Sequence, residues 1–338
     1  MKKALTLLLV LALALSLVAC GGSSKPAATE APTATDAPAD TAEEPENTQE
    51  EPEAEPVVET VTVTDMTGRE VTVELPVTRV VALQPADCEI IYALGAGDMV
   101  VGRGEYCDSP AEVLEVPSVQ SGYDTNTEQI IELEPQVLFM STMAQSQEQI
   151  EALEAAGVHV IVSETTDIQG VYDAILMIGK VLGKDDNANA LVEQMKDSFA
   201  ELTTEPDGEP KTVYFEVSPL EYGLWTAGKG TFMNEIAEML GLKNCFDDVD
   251  GWASISEEQV LERNPDYIVT ITMYFGEGPT PIEEILTRPG WENVTAVKNE
   301  AILNLVNNEL SRPSPRLVDG AKMMYEFVYG AEEADNAA

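Results

Sequence analysis

The strongest constraint on this chain is that one stretch of it occurs twice. Glu128-Gln129-Ile130-Ile131-Glu132-Leu133-Glu134-Pro135 is matched by Glu258-Gln259-Val260-Leu261-Glu262-Arg263-Asn264-Pro265, with Glu, Gln, two aliphatics, Glu and Pro at the same offsets. Each copy predicts a short helix opened by acids, a proline stop and then a buried strand, Val137 to Met140 in one and Tyr267 to Ile271 in the other. The strand ends agree as well, Thr142-Met143 against Thr272-Met273. A second echo precedes each copy: Glu89-Ile90 runs to Leu94-Gly95, and Glu235-Ile236 runs to Leu240-Gly241. Two elements recur in one order, which implies two lobes of a single design.

The remaining periodicity fills in those lobes. Val61 to Thr64 and Glu70 to Val73 alternate around Met66-Thr67-Gly68-Arg69, a hairpin signature. Arg79 to Leu83, Met99 to Gly102 and Val158 to Val162 are short apolar runs of the kind buried on both faces of a parallel sheet. Between them lie helical patterns, with Asp87 as the expected cap of the first, Thr127 as the cap of the first repeat helix, and Gln145 to Ala156 as the next helix. Ile168 to Leu182 and the segment after Gly183 to about Leu202 form the longest helical stretch, either one helix broken at Gly183 or two in succession. Leu191, Val192, Met195 and Phe199 share one face of the second segment. The second lobe reads as strand Thr212 to Val217, helix Thr231 to Leu240, the second repeat, helix Ile282 to Leu286, strand Ala301 to Leu305 and a last helix from Pro315 to about Tyr329. Strands alternating with helices predict an α/β fold with open parallel sheets. The expected organisation is an N-terminal lobe over 59–166, a connecting helix region over 167–204, a C-terminal lobe over 205–330 and a polar tail over 331–338.

The first 58 residues are of other material. Met1-Lys2-Lys3 is basic, and Ala4 to Val18 is apolar but short of the ~20 residues that a membrane span needs. It fits the apolar core of a secretion signal over 1–19. Leu17-Val18-Ala19-Cys20-Gly21 resembles the bacterial lipobox, in which the cysteine receives diacylglycerol and becomes the mature N-terminus. From Cys20 to Val58 the chain is Ala, Thr, Pro, Glu and Asp, too poor in apolar groups to offset its ordering entropy, and is expected to be an extended tether. The folded part is therefore expected to stand just outside a membrane, held by its lipid anchor.

A formal net charge of -43 argues against nucleic acid as a partner, since phosphate binding needs a basic surface. Besides Cys20 there are Cys88, Cys107 and Cys245, with no Cys-x-x-Cys and a single histidine, His159, which excludes structural zinc and haem-attachment motifs. Cys88 starts the helix after the first lobe strand and Cys107 follows the neighbouring strand, so a disulfide between them is one possibility. Catalytic sets are scarce, because any histidine-based system must use His159, inside an apolar strand. Gly223 to Gly230 nearly spells a phosphate-binding loop, but Gly230 stands where Ser or Thr must hold magnesium. In open α/β sheets ligands bind beyond the carboxyl ends of the strands. Tyr106, Tyr123, Met143, Trp225, Trp252, Met273, Asn308 and Arg312 all fall in such loops, which suggests a wide apolar cleft with a few polar groups.

Residues from about Arg79 to Tyr329 resemble the substrate-binding proteins of ABC importers for iron complexes and cobalamin. The likeness is carried by Arg79-Val80-Val81-Ala82-Leu83 with Asp87-Cys88-Glu89, by Asn126-Thr127-Glu128-Gln129-Ile130 with Glu134-Pro135, by Ala227-Gly228-Lys229-Gly230-Thr231-Phe232, by Ser256 to Val260 with Asn264-Pro265, and by Arg312-Pro313-Ser314-Pro315-Arg316. The resemblance implies two Rossmann-like lobes joined by a single long helix, with the ligand between them. It implies no enzyme activity and no resident cofactor or protein-bound metal. One surface glutamate per lobe would dock on a dimeric transmembrane permease, and these match Glu128 and Glu258.

Tyr106, Trp252, Asn308 and Arg312 match the cobalamin-binding pattern, whereas Ser141 and the Gly122-Tyr123 region stand where that pattern has tryptophan. A ferric siderophore, haem and cobalamin therefore all stay open. For haem, Tyr106, Tyr123, Met143 and Met273 are the candidate axial groups. The ligand-binding candidates are Tyr106, Tyr123, Trp225, Trp252, Asn308 and Arg312, together with Asp87 at the end of the first lobe strand. The expected function is that of a monomeric, lipid-anchored extracytoplasmic receptor for a metal chelate. The alternative is a membrane-tethered α/β enzyme outside the cell.

Overall fold

The computed structural model describes residues 58–142, 146–206 and 208–330. The lipobox at Cys20, the tether up to residue 57, Met143 and the tail over 331–338 lie outside them.

The alternating N-terminal segment forms the expected hairpin, β1 (Thr60–Thr64) and β2 (Glu70–Glu74), antiparallel with Val61 opposite Val73 and Val63 opposite Val71. Asp65 fixes its turn, accepting hydrogen bonds from the Thr67 and Arg69 amides at 3.0 and 2.9 Å. Five parallel strands follow: β3 (Val80–Ala82), β4 (Val100–Gly104), β5 (Ser118–Val119), β6 (Val137–Met140) and β7 (His159–Val162), in the order β5-β4-β3-β6-β7. With them come α1 (Pro85–Ala93), α2 (Thr127–Glu132) and α3 (Gln147–Ala155). Every residue of β3 and β6 is buried, as their continuous apolar runs require.

The long helical region is two helices, α4 (Ile168–Val181) and α5 (Asp185–Leu202). Gly183 turns between them with φ +63°, a conformation that only glycine adopts without strain. At their contact a Cβ on Gly179 would meet the Ala188 Cβ at 2.4 Å, so the helices approach more closely than any side chain at that position allows. α5 buries Ala188, Val192, Met195 and Phe199, one stripe at helical spacing, and its 18 residues span ~27 Å at ~1.5 Å each, enough to join the lobes.

The second lobe contains β8 (Thr212–Glu216), β9 (Trp225–Ala227), α6 (Phe232–Met239), β10 (Lys243–Asn244), β11 (Trp252–Ser254), α7 (Glu257–Arg263), β12 (Tyr267–Thr270), α8 (Pro281–Thr287), α9 (Thr295–Lys298), β13 (Ile302–Asn304) and α10 (Leu317–Tyr329). Its parallel sheet runs β10-β8-β12-β13, and β9 and β11 form a separate antiparallel ribbon. Both sheets are wound alike. The first strand of each, β3 or β8, sits between the second and a later one, so each sheet has a switch point beside its first strand. The repeated sequences fall on equivalent elements: α2-β6 matches α7-β12, and the Glu-Ile echo lies on α1 and on α6. Even the stops agree, for Glu134 and Asn264, each just before its proline, have φ of 47° and 46°.

One apolar cluster runs through both halves. It takes in Ile90 and Ile91 of α1, Ile175 of α4, Phe199 of α5, Phe232 and Ile236 of α6, and Met324 of α10. Fully burying such side chains stabilises by roughly 1.5–3 kcal/mol each. Two smaller clusters lie on the outer faces, one around Trp291 and one around Leu138 and Ile150.

Candidate ligand cleft

The carboxyl ends of both sheets carry the loops in which the candidate residues lie. A cavity of about 710 Å³ opens against the second sheet, within the range of small-molecule sites. Its walls come from the loops after β8, β12 and β13: Tyr222 and Glu221, then Met273, Tyr274 and Phe275, then Asn308 and Ser311. Tyr222 is 77% exposed and Phe275 82%, an extent that apolar rings have where something else is meant to cover them. Of the sequence candidates, Met273 and Asn308 line this cavity, and Asn308 sits in left-handed geometry at φ 64°. Tyr222, Tyr274 and Phe275 escaped the sequence analysis, although Tyr274-Phe275 directly follows the second repeat strand and could have been found on that ground.

The other aromatic candidates are also presented outward. Tyr106 and Tyr123 are exposed, on the loops after β4 and β5. Trp225 and Trp252 are half-exposed on the β9-β11 ribbon. Trp252 pairs with Ala227 and Trp225 with Ser254, which puts the two indoles diagonally on one face. Phe232 supports Trp252 from behind, their rings 5.4 Å apart. The loop resembling a phosphate site has another purpose: a Cβ on Gly228 would lie 2.0 Å from the Val249 carbonyl, so glycine is needed there for packing.

Asp87 differs from expectation as a helix cap. Asp87 does not cap α1, which starts at Pro85 with no side-chain cap; it lies inside the first turn and is wholly buried. Burial pushes its carboxyl up to about 7, with hydrogen bonds to Ser163 and Gln84 pulling the other way. Arg312 reaches from the second lobe onto the first. Its guanidinium donates to Glu89 Oε1 at 2.9 Å, to Asp108 Oδ1 at 2.5 Å and to the Tyr106 carbonyl at 3.3 Å. Glu89, nearly buried on α1, also accepts from Ser314 Oγ at 2.5 Å and Arg316 Nη1 at 3.0 Å. The motif Arg312-Pro313-Ser314-Pro315-Arg316 is thus a clasp between the lobes, built around one carboxylate.

Cys88 and Cys107 are brought together as free, buried thiols and not as a disulfide. Both face the Ala82 carbonyl, with Sγ at 3.8 and 3.7 Å. A hydrogen bond with Cys107, and then burial, push the Cys88 thiol far up, which keeps it from acting as a thiolate nucleophile.

Glu128 and Glu258 occupy matching positions. Asn126 caps α2 and Ser256 caps α7, each accepting from the amide three residues on, and the Ser256 amide in turn donates to Gln259 Oε1 at 2.9 Å. Both glutamates are exposed in the first turn of their helices. Bonds to the Glu258 carboxylate from its own backbone amide and from Ser256 hold it below the usual carboxylate range. Asn126, and not Thr127, is the cap: its backbone is still extended and its Oδ1 accepts from the Gln129 amide, whereas Thr127 is already helical.

The family model for periplasmic binding proteins matches residues 80–308. The chain belongs to the periplasmic binding protein family. Members of this family are transport components without catalytic activity, which sets aside the tethered enzyme. Over 276 residues the chain is 34% identical to an uncharacterized ABC transporter substrate-binding lipoprotein, YvrC, of Bacillus subtilis, covering 80% of this chain and 85% of that one. It is 27% identical over 250 residues to a vitamin B12-binding protein of Salmonella paratyphi A, covering 73% of this chain and 88% of the relative. A crystal structure described as a possible iron-binding (periplasmic solute-binding) protein of Staphylococcus epidermidis superposes with a TM-score of 0.63 at 30% identity, over 75% of this chain and 99% of that one. The two-lobed α/β architecture with a helical connector is that of the class III members of the family.

Proposed function

We propose that this protein is a lipid-anchored receptor that captures a metal chelate between its lobes and delivers it to the permease of an ABC importer. The cavity of about 710 Å³ walled by Tyr222, Tyr274 and Phe275 carries this proposal, because a chelate with a broad apolar periphery is what exposed rings in a wide cleft can cover. Support comes from the relatives, one named for vitamin B12 and one described as a possible iron-binding protein. Lobes over 59–166 and 205–330, joined through 167–204, would hold the ligand between them, with Tyr106 and Tyr123 facing Trp225 and Trp252.

Binding is read from tryptophan fluorescence, since Trp225 and Trp252 are half-exposed while Trp291 is wholly buried. A bound chelate is expected to quench the two half-exposed indoles with a dissociation constant of about 1 μM or tighter, and Trp225→Phe with Trp252→Phe to remove most of the signal. Absence of quenching by haem, cobalamins and ferric siderophores alike would remove the proposal. Anchoring rests on Cys20. Cys20→Ala is expected to shift the protein from the membrane pellet to the medium, and a mutant that stays with the membrane would show that the lipobox reading is wrong.

A further inference from the structure

The charges around the cleft are distributed unevenly, and in one direction. The arginines at the sheet edges are already engaged. Arg312 is paired with Glu89 and Asp108, and Arg316 lies 3.0 Å from Glu89 and 3.7 Å from Glu309. Arg103 turns its guanidinium to the carbonyls of Val116, Gly104, Glu105 and Cys107. Arg288, behind the cavity, is fully buried between Glu216 and Glu284 and over the Trp291 ring. No lysine or arginine is among the residues that line the cavity, whereas Glu221 and Glu277 are there and are exposed. Lys229 is the one lysine on the strand-end loops among the described residues, and it lies outside the cavity lining.

An anionic ligand in this cavity would meet no lysine or arginine among its described lining residues. It would also lie among the rings of Tyr222, Tyr274 and Phe275, in a chain whose net charge is already -43. A neutral ligand meets apolar walls, and a cationic one gains from both the carboxylates and the rings.

We infer that the cleft selects chelates that carry no net negative charge: neutral or cationic ferric hydroxamates and amide-fringed corrinoids, as against catecholate chelates and porphyrins with free carboxylates. This inference rests on the chelate-receptor proposal above and narrows it. The probes are ferrioxamine B, a cationic ferric trihydroxamate; ferrichrome, a neutral one; cyanocobalamin, also neutral; ferric enterobactin, a trianionic tris-catecholate; and haem. Each is titrated into the full-length chain in non-ionic detergent at two salt concentrations. The tightest of the first three is expected to bind at least about 100-fold more tightly than either anionic probe.

Glu221→Gln with Glu277→Gln, both exposed, is expected to weaken the cationic trihydroxamate by about 3–10-fold and the neutral one by less than about twofold. Added salt is expected to weaken the cationic probe alone. Equal or tighter binding of the catecholate or of haem overturns the inference and leaves the receptor proposal standing. Failure of all five to bind overturns both.

Discussion

Reversing the two repeat glutamates together, Glu128→Lys with Glu258→Lys, is expected to abolish uptake while moving ligand affinity by no more than a few-fold. The two side chains hold equivalent, exposed places at the start of α2 and α7, one on each lobe, and neither lines the cavity. Their helices are capped by Asn126 and Ser256, which the substitutions leave in place. Losing an acid at a helix start costs only ~0.3–1 kcal/mol, so the fold should survive. If these residues dock on basic pockets of a dimeric permease, as the resemblance implies, two lysines would impose like-charge contact costing several kcal/mol. The measurement is ligand titration of purified mutant beside an uptake assay in cells. Collapse of affinity along with uptake would show that these residues support the binding site, and uptake that survives would show that docking uses another surface.

The largest loss of stability is expected from Glu89→Ala. One buried carboxylate accepts from Arg312, Ser314 and Arg316, and removing it takes away the group on which all three converge, leaving Arg312 to Asp108 and the Tyr106 carbonyl and Arg316 to the Asn307 carbonyl and Glu309. Breaking a buried pair in this way costs about 3–5 kcal/mol, which for a domain of this size lowers Tm by roughly 6–15 °C. Arg312→Met should cost less, because Glu89 keeps Arg316 and Ser314. A Glu89→Ala protein that melts within about 2 °C of wild type would mean that the clasp contributes nothing, and Arg312 would then be free to serve the ligand.

The repeats were legible because they encode local structure twice over. The acids, the aliphatic pair and the proline fix a helix, its stop and a strand within a dozen positions, and both copies lie on equivalent elements of the structure. Strands β5, β9, β10 and β11 were not legible, since two or three residues carry no period. The split at Gly183 was legible as a choice between two forms; the packing of Gly179 on Ala188 decided it, and that contact has no trace in the sequence. The clasp was hidden for a similar reason. Glu89 and Arg312 are 223 positions apart, and an arginine in a loop looks the same whether it meets a ligand or a carboxylate. Exposed aromatics were half-legible: loop position pointed to Tyr106 and Trp252, but the size and walls of the cavity depend on how three separate strand ends come together.

The apolar cluster shared by α1, α4, α5, α6 and α10 limits how this receptor can move. Val192, Met195 and Phe199 of the connector are locked into the same core as Ile90 on one side and Phe232 on the other. Swinging the halves apart would wet that core, so opening amounts to elastic flexure of a stiff beam, with little travel at its tips. The spacing between Glu128 and Glu258 therefore changes little between the empty and the loaded molecule. A permease that docked on both glutamates, as the family resemblance implies, would meet nearly the same span in the empty and the loaded molecule, as calipers set to one opening.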